Sequence, residues 1–128
     1  MMENKPLLGT VLIIDDSPEI LQMMRQIIEM EGYRVVTAEN GTNGVDAALK
    51  EKVSAVLLDL SLPDMSGFEV LKQIKSVKTS LPIIMVTGNH LEEEAQRAIE
   101  LGAWDYITKP IDFEYLKNVL QVSLPPGS

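Results

Sequence analysis

Short apolar segments alternate with amphipathic segments along the chain, and this alternation constrains the fold more than any other feature of the sequence. The segments at residues 11–14, 55–58 and 82–86 are almost wholly apolar and rich in β-branched residues, which is typical of strands covered on both faces. Strands that alternate with helices favour a parallel sheet with right-handed crossovers and helices on both faces. We therefore predict an α/β fold in which a strand followed by a helix is repeated five times, with the other two strands near residues 34–37 and 104–107.

Capping residues predict where several of the helices begin. Ser17 precedes Pro18, which is the favoured order of an N-cap and a first helical position. Ser66 and Asn89 each stand three residues before a glutamate, as in a capping box. Asp112 can cap the last helix by the same chemistry. These starts agree with the periodicity of the apolar residues that follow them.

Glycine predicts the ends of two helices and weakens the pattern of a third. Gly32 and Gly102 stand directly after helical segments, at a position that favours left-handed backbone. The segment at residues 41–50 has Val45 and Ala48 at helical spacing, but it also contains two glycines. We predict a helix there, as the second of the five.

The composition excludes several kinds of site and partner. The chain has no cysteine, which excludes disulfides, thiolate nucleophiles and iron–sulfur clusters, and its single histidine, His90, cannot build a multi-histidine metal site. A formal net charge of −8 disfavours binding to nucleic acid or anionic membrane by bulk electrostatics. The apolar segments are far shorter than the ~18 residues of a membrane span, so we expect a cytoplasmic protein without nucleic acid or membrane as a direct partner.

The length of 128 residues fits a single domain. No repeat, low-complexity tract or internal linker divides the chain. We predict an N-terminal extension at residues 1–8 and one domain at residues 9–122. Residues 123–128, which contain two prolines and a glycine, are interpreted as a tail, a linker to a further domain or an artificial end.

Polar side chains follow four of the five predicted strands, at the edge of the sheet where ligands bind in this kind of fold. Three of them are carboxylates, Asp15, Asp16 and Asp59. Carboxylates within ~4–6 Å raise each other's pKa unless a cation neutralises them, and Mg²⁺ prefers such oxygen ligands. Thr87 adds a hydroxyl and Lys109 an ammonium group. The set matches what phosphoryl transfer requires, which is a nucleophile and groups that stabilise charge on the phosphoryl oxygens.

The residues around these side chains form four short motifs, at residues 14–17 (Ile-Asp-Asp-Ser), 58–67 (Leu-Asp-Leu-Ser-Leu-Pro-Asp-Met-Ser-Gly), 86–88 (Val-Thr-Gly) and 108–110 (Thr-Lys-Pro). Each is weak alone, but all four in this order, each after the expected strand, are highly specific. The chain resembles the receiver domains of two-component response regulators over about residues 9–122. The resemblance implies a doubly wound, flavodoxin-like, five-stranded parallel sheet of order 2-1-3-4-5, as in chemotaxis receivers.

The resemblance also implies a role for each residue at this edge. Asp59 would be the phosphoacceptor. Mg²⁺ would be bound directly by Asp16, by Asp15 partly through water, by Asp59 and by the backbone carbonyl of Ser61. Lys109 would pair with the phosphoryl group, and the peptide bond that follows it would be cis.

Other positions would transmit or tune the signal. Thr87 and Tyr106 resemble the switch residues of the family, the tyrosine turning inward when the threonine moves. Ser61 and Asn89 occupy positions that modulate how fast water removes the phosphoryl group. Neither is charged, so the sequence does not predict the lifetime of the phosphorylated state.

The resemblance implies partners as well as chemistry. A sensor histidine kinase or a histidine phosphotransfer protein would donate the phosphoryl group, and helix 1 resembles the docking element. An output domain outside this chain, and a homodimer formed through helix 4, strand 5 and helix 5 near Trp104, are the expected downstream partners. The domain would be a switch that catalyses only its own phosphorylation and dephosphorylation, rather than an enzyme.

Two other classes of function stay open from the residues themselves. A phosphohydrolase of the aspartyl-phosphate type would place its nucleophile after strand 1 in an Asp-x-Asp arrangement, whereas Asp15 and Asp16 are adjacent. A receiver-like binding module would work without phosphorylation. Structural roles are the alternative for single residues, because Asp15 and Asp16 can cap helix 1 and Tyr106 can serve packing alone.

Overall fold

The predicted α/β fold is confirmed by the structure, a computed structural model that describes residues 7–88 and 91–124. Five parallel strands form one sheet in the order β2-β1-β3-β4-β5, which is the predicted order 2-1-3-4-5. Helices connect the strands in chain order. The strands are β1 (Thr10–Ile14), β2 (Arg34–Ala38), β3 (Ala55–Leu58), β4 (Ile83–Thr87) and β5 (Asp105–Thr108), and the helices are α1 (Pro18–Met30), α2 (Gly41–Lys50), α3 (Gly67–Val77), α4 (Glu92–Glu100) and α5 (Phe113–Ser123).

The central strands are apolar throughout because both faces of the sheet are covered. In β1, Leu12 and Ile14 pack on the side of α2, α3 and α4, whereas Val11 and Ile13 pack on the side of α1 and α5. All four side chains are at most 1% exposed. Because successive side chains of a strand point to opposite faces of the sheet, each strand contributes residues to two separate cores. In the part of the chain that the structure describes, no helix combines the length and the apolar character that a membrane crossing needs.

Three of the predicted N-caps are confirmed. Ser17 Oγ accepts a hydrogen bond from the amide of Ile20 at 3.3 Å. At the start of α3, Ser66 Oγ accepts a hydrogen bond from the amide of Phe68 at 3.1 Å. At the start of α5, Asp112 Oδ1 accepts a hydrogen bond from the amide of Tyr115 at 3.2 Å. Each bond satisfies one of the amides that a helix leaves unpaired in its first turn.

The two predicted helix-ending glycines are also confirmed. Gly32 (φ 102°) and Gly102 (φ 104°) adopt the left-handed backbone that follows a helix. The predicted cap Asn89 lies outside the described residues, and the described part of α4 begins at Glu92 with Leu91 at the cap position. Strand β5 runs one residue later than predicted, although the amide of Trp104, just before it, already donates to the Ile83 carbonyl at 2.7 Å.

Candidate functional site

The order of the strands brings the predicted polar residues to one edge of the sheet. Asp15 and Asp59 directly follow β1 and β3, Thr87 ends β4, and Lys109 directly follows β5. Backbone pairing continues past the strand ends, since the amide of Asp59 donates to the Ile14 carbonyl at 2.9 Å and the amide of Lys109 to the Thr87 carbonyl at 2.7 Å. The sheet therefore fixes the backbone of these residues relative to one another.

Three carboxylates form a tight acidic cluster at this edge. Asp15, Asp16 and Asp59 can each place one oxygen within 4.8 Å of the others. Asp15 and Asp59 are buried (3% and 6% exposed), whereas Asp16 is exposed. Carboxylate oxygens at this spacing repel one another and form a donor set that fits a hard divalent cation such as Mg²⁺. The exposed Asp16 leaves one side of the cluster open to solvent.

Lys109 lies between the two buried carboxylates. Its Nζ is 3.1 Å from Asp15 Oδ2 and 3.4 Å from Asp59 Oδ2. Burial alone would lower the pKa of Lys109, but the hydrogen bond and charge of Asp15, followed by those of Asp59, raise it above the ordinary value. The ammonium group is therefore held in its charged form, as a fixed positive charge beside the cluster.

The pKa of Asp59 is raised, mainly because the carboxyl group is buried. The Ser61 amide and the Lys109 ammonium group oppose this rise, while the charge of Asp15 adds to it. The positive charge of Lys109 therefore lowers the pKa of Asp59 by less than burial and the neighbouring Asp15 carboxylate raise it. A cation bound in the cluster would oppose this rise and favour the ionised form of Asp59.

Each buried carboxylate is oriented in the same way. Asp15 Oδ1 accepts a hydrogen bond from the amide of Ser17 at 2.9 Å, and Asp59 Oδ1 accepts from the amide of Ser61 at 3.1 Å. In both residues Oδ1 thus accepts a hydrogen bond from the amide two residues later in the chain, and Oδ2 lies next to the Lys109 ammonium group. Such Asx turns restrict the rotation of the carboxylate plane.

Gly67 allows the loop between β3 and α3 to return against the backbone that directly follows β3. Its amide donates to the Leu60 carbonyl at 2.7 Å, and Ser61 and Ser66 form an isolated antiparallel bridge. A Cβ atom at Gly67 would overlap the backbone oxygen of Asp59 and lie 2.7 Å from the Cα atom of Leu60. Both neighbours are backbone, so neither can move without moving the loop.

We expect Gly67→Ala to lower the free energy of unfolding by about 2–3 kcal/mol, because a side chain there forces apart two backbone segments. The matched control is Gly88→Ala, since nothing in the described part of the chain lies within 4 Å of a Cβ atom at Gly88. Urea unfolding of both variants in EDTA measures the effect. Equal midpoints for the two variants would contradict it.

Thr87 and Tyr106 lie on the neighbouring strands β4 and β5, two register positions apart. Thr87 is 3% exposed, and Tyr106, in register with Met85, packs partly buried against the core on the α2, α3 and α4 side. Burial, with a smaller contribution from Glu94, raises the pKa of the Tyr106 hydroxyl. A cavity of about 620 Å³ between the β3–α3 loop and α4 is lined by Thr87, Ser61 and Glu94, among others.

The comparisons with known proteins agree with this geometry. Residues 11–121 match the response regulator receiver domain family. The chain belongs to this family. PilH of Pseudomonas aeruginosa is 37% identical over 119 residues, which cover 91% of this chain and 98% of PilH. The uncharacterized transcriptional regulatory protein YkoG of Bacillus subtilis is 36% identical over 116 residues, which cover 91% of this chain and 51% of YkoG. The chain thus spans about half the length of curated relatives such as YkoG, but nearly the whole length of PilH.

Solved receiver structures share the fold. The CheY-like receiver domain of Methanospirillum hungatei JF-1 aligns with a TM-score of 0.83 at 34% identity, over 90% of this chain and 95% of that chain. The CheX–CheY–BeF3–Mg²⁺ complex from Borrelia burgdorferi aligns with a TM-score of 0.85 at 26% identity, over 89% of this chain and 87% of that chain. These matches confirm the predicted family and fold class.

The structure locates most of the residues that were predicted to act in this receiver domain. The carboxylate cluster and Lys109 come together, and the peptide bond between Lys109 and Pro110 is cis, as the resemblance implied. Ser61 is exposed on the loop beside Asp59. Trp104 is 50% exposed. Asn89 lies outside the described residues.

Sequence reasoning assigned no role to Asp64, although it lies within the second motif. Its Oδ1 accepts a hydrogen bond from the amide of Gly41 at 2.7 Å. Its Oδ2 accepts from the amide of Thr42 at 2.9 Å and from the Thr42 hydroxyl at 2.7 Å. The Thr42 hydroxyl and amide, followed by the Gly41 amide, lower the pKa of Asp64 to about 2. Asp64 thus ties the β3–α3 loop to the first turn of α2.

We expect the hydrogen bonds to Asp64 to make the free energy of unfolding depend on pH in the acid range. Folding lowers the pKa of Asp64 from 3.8 to about 2. The contribution of Asp64 to the free energy of unfolding is therefore complete above about pH 4 and is lost as the pH falls toward 2. The urea midpoint of the wild type should therefore exceed that of Asp64→Asn at pH 6, and the difference should shrink between pH 4 and pH 2. A difference that stays constant over this range would contradict the assignment.

Proposed function

We propose that this receiver domain accepts a phosphoryl group from a partner's phosphohistidine on Asp59 and that the modification switches its conformation. The observation that carries the proposal is the position of the Lys109 ammonium group, 3.1 Å from Asp15 and 3.4 Å from Asp59. It lies beside a cluster of three carboxylates whose oxygens approach within 4.8 Å. A fixed cation next to a buried, oriented carboxylate is what a phosphoryl acceptor requires.

In the proposed step, a carboxylate oxygen of Asp59 forms a bond to phosphorus. The bond between phosphorus and the imidazole nitrogen of the donor breaks, and its electron pair stays on that nitrogen. The product on this chain is an acyl phosphate. The Ser61 amide orients the carboxylate before the step, and Lys109 balances the negative charge of the phosphoryl oxygens.

Mg²⁺ is the proposed cofactor, bound by Asp15, Asp16, Asp59 and the backbone carbonyl of Ser61. The oxygen-only donor set and its spacing support this assignment. Bound there, the ion would neutralise the acidic cluster and stabilise charge on the transferred group. The relative from Borrelia burgdorferi, solved with BeF3 and Mg²⁺, gives further support.

Thr87 and Tyr106 are the proposed switch residues. The phosphorylated protein would populate a state in which the Thr87 hydroxyl binds the phosphoryl group and Tyr106 moves inward. The cavity beside Thr87 and α4 provides room for such a movement. Ser61 and Asn89 would tune the rate of hydrolysis.

The proposed donor is a sensor histidine kinase or a histidine phosphotransfer protein that docks on α1. The proposed output surface is the face formed by α4, β5 and α5, which would also mediate a homodimer. Exposed apolar side chains on and beside this face support it, with Leu91 58%, Ile99 49% and Trp104 50% exposed. The greater length of YkoG supports an output domain beyond this chain.

Intact mass spectrometry after incubation with acetyl phosphate tests the proposal. With Mg²⁺ we expect the mass of one added phosphoryl group, and with EDTA we expect none. Beryllofluoride, a stable mimic of the phosphoryl group, should bind under the same conditions. A protein that gains no mass from acetyl phosphate and does not bind beryllofluoride would be a receiver-like interaction module instead.

A further inference from the structure

We propose that Asp64 is a positioning residue for the acceptor site, because it fastens the β3–α3 loop to α2 and so holds the Ser61 backbone in place. The proposal deepens the proposed function and rests on it. Asp64 does not touch the reacting atoms, and it would act through the two residues, Leu62 and Pro63, that separate it from Ser61.

The contact between Asp64 and α2 is a three-point attachment. One oxygen accepts from the Gly41 amide at 2.7 Å, and the other accepts from the Thr42 amide at 2.9 Å and hydroxyl at 2.7 Å. All three donors belong to the first turn of α2, where amides are unpaired and negative charge is favoured. Bonds to a charged acceptor are among the stronger hydrogen bonds in proteins.

A second contact packs the same loop onto the same helix. Gly41 is buried beneath Met65, and a Cβ atom at Gly41 would lie 2.9 Å from the Met65 sulfur and 3.0 Å from Val70 Cγ2. The loop therefore lies flush against the start of α2. Asp64 and Met65 hold adjacent positions of the loop to one turn of helix, so the loop and the helix move as a unit.

At its other end the loop is tied to the acceptor. The Ser61 amide donates to Asp59 Oδ1 at 3.1 Å, and Ser61 is bridged to Ser66 across the loop. The attachment to α2 thus lies three residues from the backbone group that orients Asp59. A loop released from α2 would let Ser61 move, and both its amide and its carbonyl would lose their alignment with the site.

Calorimetric titration with Mg²⁺ tests the proposal on the folded protein. We expect Asp64→Ala to weaken Mg²⁺ binding about 10-fold, the size typical of residues that orient metal ligands. Thr42→Val removes only the hydroxyl donor, so we expect a 2–3-fold loss. Asp46→Ala is the matched control, because Asp46 is an exposed acidic residue on α2 that pairs with Lys50 at 2.8 Å.

A double-mutant cycle separates positioning from simple loss of charge. If Asp64 acts through Thr42, the variant with both changes should bind Mg²⁺ no more weakly than Asp64→Ala alone. Asp64→Asn, which keeps one oxygen acceptor, should recover part of the affinity. In phosphorylation by acetyl phosphate, the Mg²⁺ concentration for half-maximal rate should rise about 10-fold in Asp64→Ala. The rate at saturating Mg²⁺ should change less.

Unchanged Mg²⁺ affinity in Asp64→Ala and Thr42→Val would overturn the proposal, even if thermal stability falls, because Asp64 would then be only a cap of α2. Additive losses in the double variant would overturn it as well. These outcomes differ from failure of the proposed function, in which the wild type itself binds no Mg²⁺ and accepts no phosphoryl group.

Discussion

Asp59→Asn is expected to abolish phosphoryl incorporation while leaving the fold intact. The amide has nearly the shape of the carboxylate, and its oxygen can still accept the hydrogen bond from the Ser61 amide. It is neutral and a poor nucleophile, so no acyl phosphate forms. Intact mass spectrometry with acetyl phosphate and Mg²⁺ should show no added phosphoryl mass in this variant.

The same substitution is expected to stabilise the protein in EDTA. Burial raises the pKa of Asp59, which means that the ionised carboxylate is disfavoured where it lies. A neutral side chain removes that cost and the repulsion from Asp15. The urea midpoint of Asp59→Asn should therefore exceed that of the wild type at pH 7 in EDTA. Phosphoryl incorporation by a folded Asp59→Asn protein would show that the acceptor lies elsewhere.

Lys109→Ala is expected to lower the free energy of unfolding by about 2–3 kcal/mol in EDTA, because two buried carboxylates lose the cation between them. Mg²⁺ should restore part of this loss, since the ion supplies positive charge to the same cluster. We also expect phosphorylation to slow about 100-fold, because charge on the phosphoryl oxygens loses a stabilising partner. Urea unfolding with and without Mg²⁺ and phosphorylation kinetics measure the two effects.

The matched control for that variant is Lys50→Ala. Lys50 pairs with Asp46 at 2.8 Å, but both side chains are exposed, so the urea midpoint should not change. A Lys109→Ala protein as stable as this control in EDTA would contradict the electrostatic account of the site. A stability loss that Mg²⁺ does not reduce would contradict the common location of the ion and the ammonium group.

The fold could be predicted because the alternation of apolar and amphipathic segments specifies a parallel sheet covered on both faces. The order of the strands could not be derived from periodicity. Every central strand is apolar, and nothing in the sequence of such a strand indicates which strands lie next to it in the sheet. That order came from the resemblance carried by the four motifs. Once it is known, Asp15, Asp59, Thr87 and Lys109 must converge, because each stands where a neighbouring strand ends.

Other contacts could not be predicted because their partners are distant in the sequence. Asp64 binds α2 residues 22 and 23 positions earlier, and nothing in the sequence tells which unpaired amides a loop carboxylate will meet. The guanidinium of Arg97 lies 4.4 Å from the centre of the Phe68 ring, a contact between α4 and α3 that depends on helix packing. The position of Lys109 between two carboxylates likewise required the side-chain geometry.

The most direct test of the central claim is to identify the phosphorylated residue chemically. Borohydride reduces an acyl phosphate on aspartate to homoserine, so protein treated with acetyl phosphate and Mg²⁺ can be reduced, digested and sequenced by mass spectrometry. We expect homoserine at position 59, dependent on Mg²⁺ and absent from the Asp59→Asn variant. Homoserine at Asp15 or Asp16, or phosphate retained on another side chain while Asp59 stays unmodified, would contradict it.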